Sequence, residues 1–535
     1  MAVILSSIRL TNAIRAWMAW RRGATIRKSD NGDLVNSPLE AFMGRTHAIV
    51  IGGSFAGLAA GRVLSEFYDR VTVLDRDTFP DGVADRAGVP QARHVHGLLL
   101  RGLHEYERFF PGFEALAVER GATFHDHTYD FAVLRPQGWT PRYRSGLKFL
   151  SASRELIESC VRDLFRRLPN VALCERAPVI GLDIDKAGPP RCRGVVVPRG
   201  SLATGELNSN AADNRETLDA DLVVDASGAM SRAPQWLAAA ELRPAEETIV
   251  DPLAGYSSRW FQGPPPERWP QEWWWWAGAY IRRRPDDLVE ANFQLKEHNR
   301  WHLTLSGFNR RYPPTDETGF TAFVERLRSP IIAEMTRLME PISPVYANRA
   351  IRNRRRHYES WSERLDGFIA IGDAFCAYNP VYAQGMTAAA MSATMLRGCL
   401  ERFGPADGAL AREFHRAEAE IQHGPWMLSA GVDLRFPFTA GDRPLSLKLF
   451  NQYLDRVGAA ASDPVVRTRL LEVAQLMRPF DDLFEPAIMV RVGAREIAQA
   501  AASLSRIFSM NGARDIPPMP PPPMASESPS APVAA

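Results

Sequence analysis

Cysteine is scarce and forms no recognisable pattern. The five residues (Cys160, Cys174, Cys192, Cys376 and Cys399) are scattered, make no C-x-x-C pair and sit near no histidine at metal-ligand spacing. That excludes a disulfide scaffold and a structural zinc site, and free thiols in a reducing, cytoplasmic compartment are expected. Long hydrophobic runs are missing too. No apolar stretch approaches the roughly 20 residues that span a bilayer, because Arg, Glu or Pro interrupts the longest of them. An excess of one charge is also absent, with 64 basic residues against 62 acidic ones. A general attraction to nucleic acid is therefore not expected. No Ser-His-Asp or metal-ligand constellation is evident. What is present is length: 535 residues exceed one ordinary core and leave room for subdomains around a large buried ligand.

The two ends differ from the rest. Residues 1–45 carry repeated Arg, no acid before Asp30, and Ile8, Ile14, Trp17 and Met18 at a spacing that shares one helical face. An interfacial helix, a transit segment and a loosely packed extension all fit this pattern. Peripheral membrane contact, if any, is assigned to this segment. The Pro-rich tail from 513 to 535 lacks the means to form a core and is expected to be disordered.

Between the ends, HAIVIGGSFAGLAAGRVLSEFYDRVTVLDRD (47–77) reads as strand, glycine-rich turn, helix and second strand. In a G-x-G-x-x-G alignment the turn is Gly52, Gly53, Ser54, Phe55, Ala56 and Gly57, with Ser54 in the place of the middle glycine. Gly52 permits the tight turn, a small middle residue lets backbone amides approach a pyrophosphate, and Gly57 lets helix and strand pack closely. Asp75, 23 residues past Gly52, stands where a carboxylate accepts hydrogen bonds from a ribose, with Arg76 beside it. A dinucleotide-binding βαβ unit is expected.

Further on, KFLSASRELIESCVRDLFRRL predicts a helix capped by Ser151 or Ser153, and strands are expected at 171–184, 192–198 and 221–225. The polar stretch from Gly200 to Asp219 reads as an exposed hairpin loop. Aromatic extended segments over 248–310 suggest a separate antiparallel sheet. The stretch GFIAIGDAFCAYNPVYAQGM (367–386) then gives a buried strand ending in Gly372-Asp373, a loop with Pro380, and a helix opening at Gly385-Met386. Residues 386–510 read as helical throughout.

Taken together, the glycine-rich βαβ, the DASG strand end at 225–228 and the GDA-x5-P-x4-G-M stretch resemble the FAD-dependent monooxygenases of the para-hydroxybenzoate hydroxylase fold, most of all the squalene and polyether epoxidase-like branch. The likeness runs from about residue 46 to about 400. It implies an α/β protein: a Rossmann-like FAD-binding domain with part of the substrate sheet (46–245, returning at 351–402) and a mixed antiparallel β-sheet substrate domain (246–350), which the residues themselves extend by a C-terminal helical region (403–512). It places the ADP half of FAD on Gly52, Gly57 and Asp75, and the FAD backbone near Arg154. The ribityl hydroxyls go to Asp373 and the flavin pyrimidine ring to the Gly385-Met386 amides, with Pro380 and Gly385 beside the isoalloxazine. A strand-end carboxylate suits a polyol, and a helix N-terminus suits the negative charge of reduced flavin.

The resemblance also implies an activity: oxygen transfer through a flavin C4a-hydroperoxide to an apolar small molecule, as epoxide or hydroxyl. A reductase of the prenyl-chain type and a non-catalytic flavin-bound subunit remain the alternatives. Electrons would come from NADPH or NADH, directly or through a separate flavin reductase. Ser227 precedes Gly228 where the aromatic hydroxylases carry Asp-Gly-Ser, which argues against direct use. Ala383 stands where glycine is expected. Arg93 is assigned to the pyrophosphate, and at most one of His94 and His96 is expected to face the site, because alternate residues of an extended segment point apart. Arg352 to His357 read as a solvated face or entry loop. Trp273 to Trp276, if on a strand, would divide between a cavity and an outer face. The flavin halogenases carry W-x-W-x-I-P, whereas here AGAY follows the tryptophans.

Overall fold

In the computed structural model the described residues are 46–200, 214–405 and 408–507. The expectations for the N-terminal segment, the Pro-rich tail and the centre of the polar insert lie outside them. Continuous apolar strands belong inside a parallel sheet covered on both faces, and that is where His47–Ile51 and Arg70–Leu74 lie. Five parallel strands run in the order Phe368–Ala370, Leu222–Asp225, His47–Ile51, Arg70–Leu74 and Val171–Cys174. The helix Phe55–Leu64 covers this sheet and packs against the helix Gly385–Phe403. One end of the chain's folding unit thereby meets a segment more than three hundred positions away.

The second sheet has nine strands and is mixed. Its long strand Glu247–Gln262 pairs antiparallel with Arg300–Gly307 on one side and Tyr346–Arg356 on the other. The α/β class, the Rossmann-like layer, the mixed antiparallel sheet and the C-terminal helices are all present. Several details differ from the sequence reading. The large sheet takes in Phe131–Arg135, parallel to Gly278–Ile281, from the 46–245 segment, which was expected to carry part of the substrate sheet. Arg352 to Arg356 belong to a strand rather than a loop, and Arg356 is 2% exposed because it donates to Glu247 and to the Ala374 carbonyl. Arg215–Asp219 is a strand paired with Arg191–Pro198. The C-terminal region is helical but interrupted by turns near Gly404 and over 434–444, where Pro437, Gly441 and Pro444 fall.

Candidate functional site

A cavity of about 300 Å³ receives the glycine-rich turn, the DASG strand end and the GD stretch together. At the turn, Gly52 has φ +105°, and a Cβ there would lie 2.6 Å from the Ala226 carbonyl oxygen. Gly57 has even less room: its Cβ would stand 1.8 Å from the Gly52 oxygen. Asp75 sits just past its strand, accepting from the Gly53 amide at 2.7 Å and the Asp77 amide at 2.9 Å. Phe55, Ala56, Asp75 and Arg76 all line the cavity.

Ser54 now has a reason. Its hydroxyl accepts from Arg154 Nη2 at 2.9 Å and donates to Glu158 Oε2 at 3.2 Å, contacts a glycine cannot make. Arg154 opens the helix Arg154–Phe165, which Ser153 caps by accepting from the Leu156 amide at 3.1 Å. Its Nη1 donates to Glu158 at 2.6 Å. Arg86 closes the network, donating to Glu158 at 2.8 Å and to Asp75 at 3.3 Å. Burial pushes the Glu158 carboxyl up, but Arg154 and Arg86 outweigh it and hold the group below its usual value. Sequence reasoning missed both Arg86 and Glu158. The i,i+4 spacing of Arg154 and Glu158 was the one available signal.

At the other end of the cavity, Asp373 lies in the turn Gly372–Ala374. Gly372, at φ +60°, lets Ala56 approach, since a Cβ would come within 2.7 Å of the Ala56 methyl. The Asp373 carboxylate has no hydrogen-bond partner among the described residues. Burial raises its pKa to about 6, against the pull of Arg154. The 19-residue helix Gly385–Phe403 begins here without a side-chain cap. Gln384, 3% exposed, leaves its Oε1 buried in the same wall with no partner among the described residues. Pro380, Gly385 and Met386 line the space, and a Cβ on Gly385 would meet Asp373 Oδ1 at 3.5 Å. Ala383 adopts φ +54°, the left-handed conformation that explains why glycine is expected there.

The loop 379–383 is held from behind by a residue the sequence reading did not single out. Asp433 is fully buried and accepts from Asn353 at 3.0 Å, Asn379 at 2.9 Å and Tyr382 at 2.6 Å. Asn379 Oδ1 accepts in turn from the Val381 amide at 3.2 Å. Asp433 belongs to the C-terminal region, beyond the resemblance.

Other candidates fall elsewhere. Arg93 does not line the cavity: its half-exposed guanidinium pairs with Asp85 at 3.5 Å and lies over the Tyr346 ring. His94 is buried against Ser258, while His96 does face the cavity. Burial, with the added repulsion of Arg154, lowers the His96 pKa to about 3. Ser227 and Ser231 both donate to the buried Asp225. Trp273 to Trp276 are not on a strand; they form a turn before Gly278–Ile281, and Trp275, 2% exposed, stacks on Trp273 within the large sheet's core. Cys376 is buried packing.

Comparison with known proteins bears directly on this arrangement. Protein Rv3254 of Mycobacterium tuberculosis (strain ATCC 25618 / H37Rv) is 32% identical over 434 residues, spanning 79% of this chain and 88% of that protein. The chain belongs to the Rv3254 family. No family model matches it. Among solved structures, the flavin-dependent brominase Bmp2 superposes with a TM-score of 0.57 at 13% identity, covering 85% of this chain and 100% of that one. The flavin-dependent halogenase CmlS gives 0.53 at 16% identity, covering 88% of this chain and 79% of that one. The p-nitrophenol 4-monooxygenase PnpA of Pseudomonas putida gives 0.51 at 17%, over 81% and 98%. This Rv3254 relative therefore has the fold of FAD-dependent oxidoreductases, monooxygenases and halogenases among them.

Proposed function

We propose that the chain is an FAD-dependent monooxygenase that delivers an oxygen atom to an apolar small molecule, as an epoxide or a hydroxyl. The observation that carries this reading is the meeting, in one cavity, of a dinucleotide turn, an unpartnered carboxylate and an uncapped helix N-terminus. The residues fit FAD. The close glycines bring backbone amides to where a pyrophosphate would lie, and Asp75 is placed for a ribose. Asp373 has acceptor capacity to spare for the ribityl hydroxyls, and Gln384 Oε1 offers another acceptor. When bound, FAD supplies the redox and oxygen chemistry.

The chain's own part is positioning and charge. Arg154, anchored by Glu158 and Ser54, presents a cation to the cavity without being free to swing. The Gly385 helix end offers unpaired amides to negative charge. With its pKa lowered to about 3, the His96 imidazole is too weakly basic to hold a proton taken from a substrate. That favours a substrate needing no protein base, such as an alkene, in the manner of the epoxidase-like branch. The engagement of Ser227 and Ser231 by Asp225 favours electron supply from a separate flavin reductase over direct NADPH or NADH use.

To test this, FAD-loaded protein is reduced and mixed with isotopically labelled dioxygen and a panel of apolar alkenes and arenes. Labelled product supports the reading. Anaerobic saturation of a prenyl double bond would replace it with the reductase alternative, and failure to retain FAD would remove both.

A further inference from the structure

Outside the cofactor cavity, the strands Phe131–Arg135 and Gly278–Ile281 run parallel with Leu134 opposite Ile281, and the Arg282 amide donates to the Leu134 carbonyl at 2.9 Å. That register sets Arg135 and Arg282 side by side on one face. Arg328 fixes both strand ends, donating to the carbonyls of Leu134, Arg135 and Arg282 at 2.9, 2.8 and 3.1 Å. Arg135 reaches the helix Leu445–Ala460, where a Cβ on Gly458 would lie 3.1 Å from its Nη2. Arg467, from the helix Pro464–Ala474, and Arg435 bring further positive charge to bear on Arg135.

Buried cations are normally paired, and among the described residues Arg135 and Arg467 make no ion pair with a carboxylate. Among the described residues, Nε and Nη1 of Arg135 and Nε of Arg467 are buried without a hydrogen-bond partner, and Arg467 is only 4% exposed. The neighbouring acids are already engaged: Asp455 with Arg435 at 2.9 Å, and Glu290 and Asp433 with Arg283 at 3.2 and 3.5 Å. Among the described residues, five guanidinium groups (Arg135, Arg282, Arg283, Arg435 and Arg467) face three carboxylates, an excess of two positive charges. Of these five, the two with orphaned donors, Arg135 and Arg467, are also the two on which no described carboxylate acts. Burial and mutual repulsion press on both, lowering Arg467 to about 10.

We propose that Arg135, Arg282 and Arg467 form a binding site for a doubly charged oxyanion, a phosphate group. A tetrahedral dianion neutralises the excess charge, and its several acceptor oxygens match forked guanidinium donors. The site is independent of the flavin reading, because none of its residues lines the cofactor cavity. The phosphate is either the free ion or the head of an apolar ester.

The test uses FAD-saturated protein, so that the dinucleotide cavity is filled. Calorimetric titration with inorganic phosphate, at ionic strength matched with chloride, is expected to show one saturable site per chain. Arg135→Met and Arg467→Met should each weaken it roughly tenfold or more, with melting temperatures in chloride equal to or above the unsubstituted protein's because repulsion is relieved. Decyl phosphate binding at least tenfold tighter than phosphate identifies an ester ligand; equal binding identifies the free ion. Absence of saturable binding, or unchanged affinity in both variants, overturns the proposal. If neither variant folds, Arg435→Gln decides, since it sits at the exposed side: a severalfold loss supports the site and unchanged affinity overturns it.

Discussion

Replacing Asp373 by asparagine is expected to strengthen the flavin-free protein while weakening its hold on FAD. The carboxylate is partly buried, lacks a hydrogen-bond partner among the described residues, and has its pKa raised from 3.8 to about 6. A rise of that size corresponds to ~3 kcal/mol against the charged form, and discounting for solvent screening at a partly exposed group leaves ~1–3 kcal/mol. The sign follows from linkage. With a raised folded-state pKa, the aspartate's contribution is fully present below pH 3.8 and lost as pH rises through about 6. The Asp373→Asn variant has no charge to acquire there. Urea denaturation of flavin-free protein should therefore show the variant more stable by ~1–3 kcal/mol at pH 8, with the gap closing as pH falls from 6 towards 4. FAD titration followed by flavin fluorescence should show the opposite, a loss of roughly 10- to 100-fold, the worth of charge-assisted bonds to the ribityl chain. If the substitution destabilises the flavin-free protein at pH 8, the carboxylate holds the fold. If FAD affinity is unchanged, it does not touch the cofactor. Either result refutes the assignment.

Substitutions at three other positions probe what supports the same site. Ala383→Gly should raise stability to urea by ~0.5–1 kcal/mol, because it removes a left-handed alanine, and no gain would mean the loop relaxes around it. Gly57→Ala should lower stability by ~3 kcal/mol or prevent folding, since its methyl would stand 1.8 Å from the Gly52 oxygen; a variant melting like the parent would show that the turn is not tightly packed. Asp433→Ala should cost ~3–5 kcal/mol by stranding Arg283, Tyr382 and two asparagines. Asp433→Asn, which keeps an acceptor, should recover part of that loss and of the FAD affinity; equal defects in both would assign the effect to charge alone.

Much of the candidate site was legible because its signals are local. The glycine-rich turn, Asp75 and the Gly372-Asp373 stretch each lie at a strand end, where hydrophobic pattern and spacing speak together. The partners that complete the site are not local. Ser54 looked like a departure until Arg154, a hundred positions on, was seen to need its hydroxyl. Arg86 reaches Glu158 across 72 positions, and Asp433 reaches Asn379 across 54. Arg93, assigned to the pyrophosphate, lies off the cavity, because an arginine in a loop beside a nucleotide fold reads the same whether it turns inward or pairs with Asp85. The tryptophans resembled a strand by β-propensity, yet short turn bonds from Trp273 to Pro270 and Trp274 to Glu272 fold them into a corner.

The grip of Asp433 on the loop 379–383 also sets an order of events in synthesis. A ribosome that has finished the glycine-rich turn, Asp373 and the Gly385 helix has not yet made the residue that fixes the loop between them. Firm cofactor uptake then belongs to the completed chain rather than the nascent one. A chain stopped before Asp433 would carry every flavin motif in its sequence and still release the flavin, which equilibrium dialysis of such a truncation against FAD would reveal.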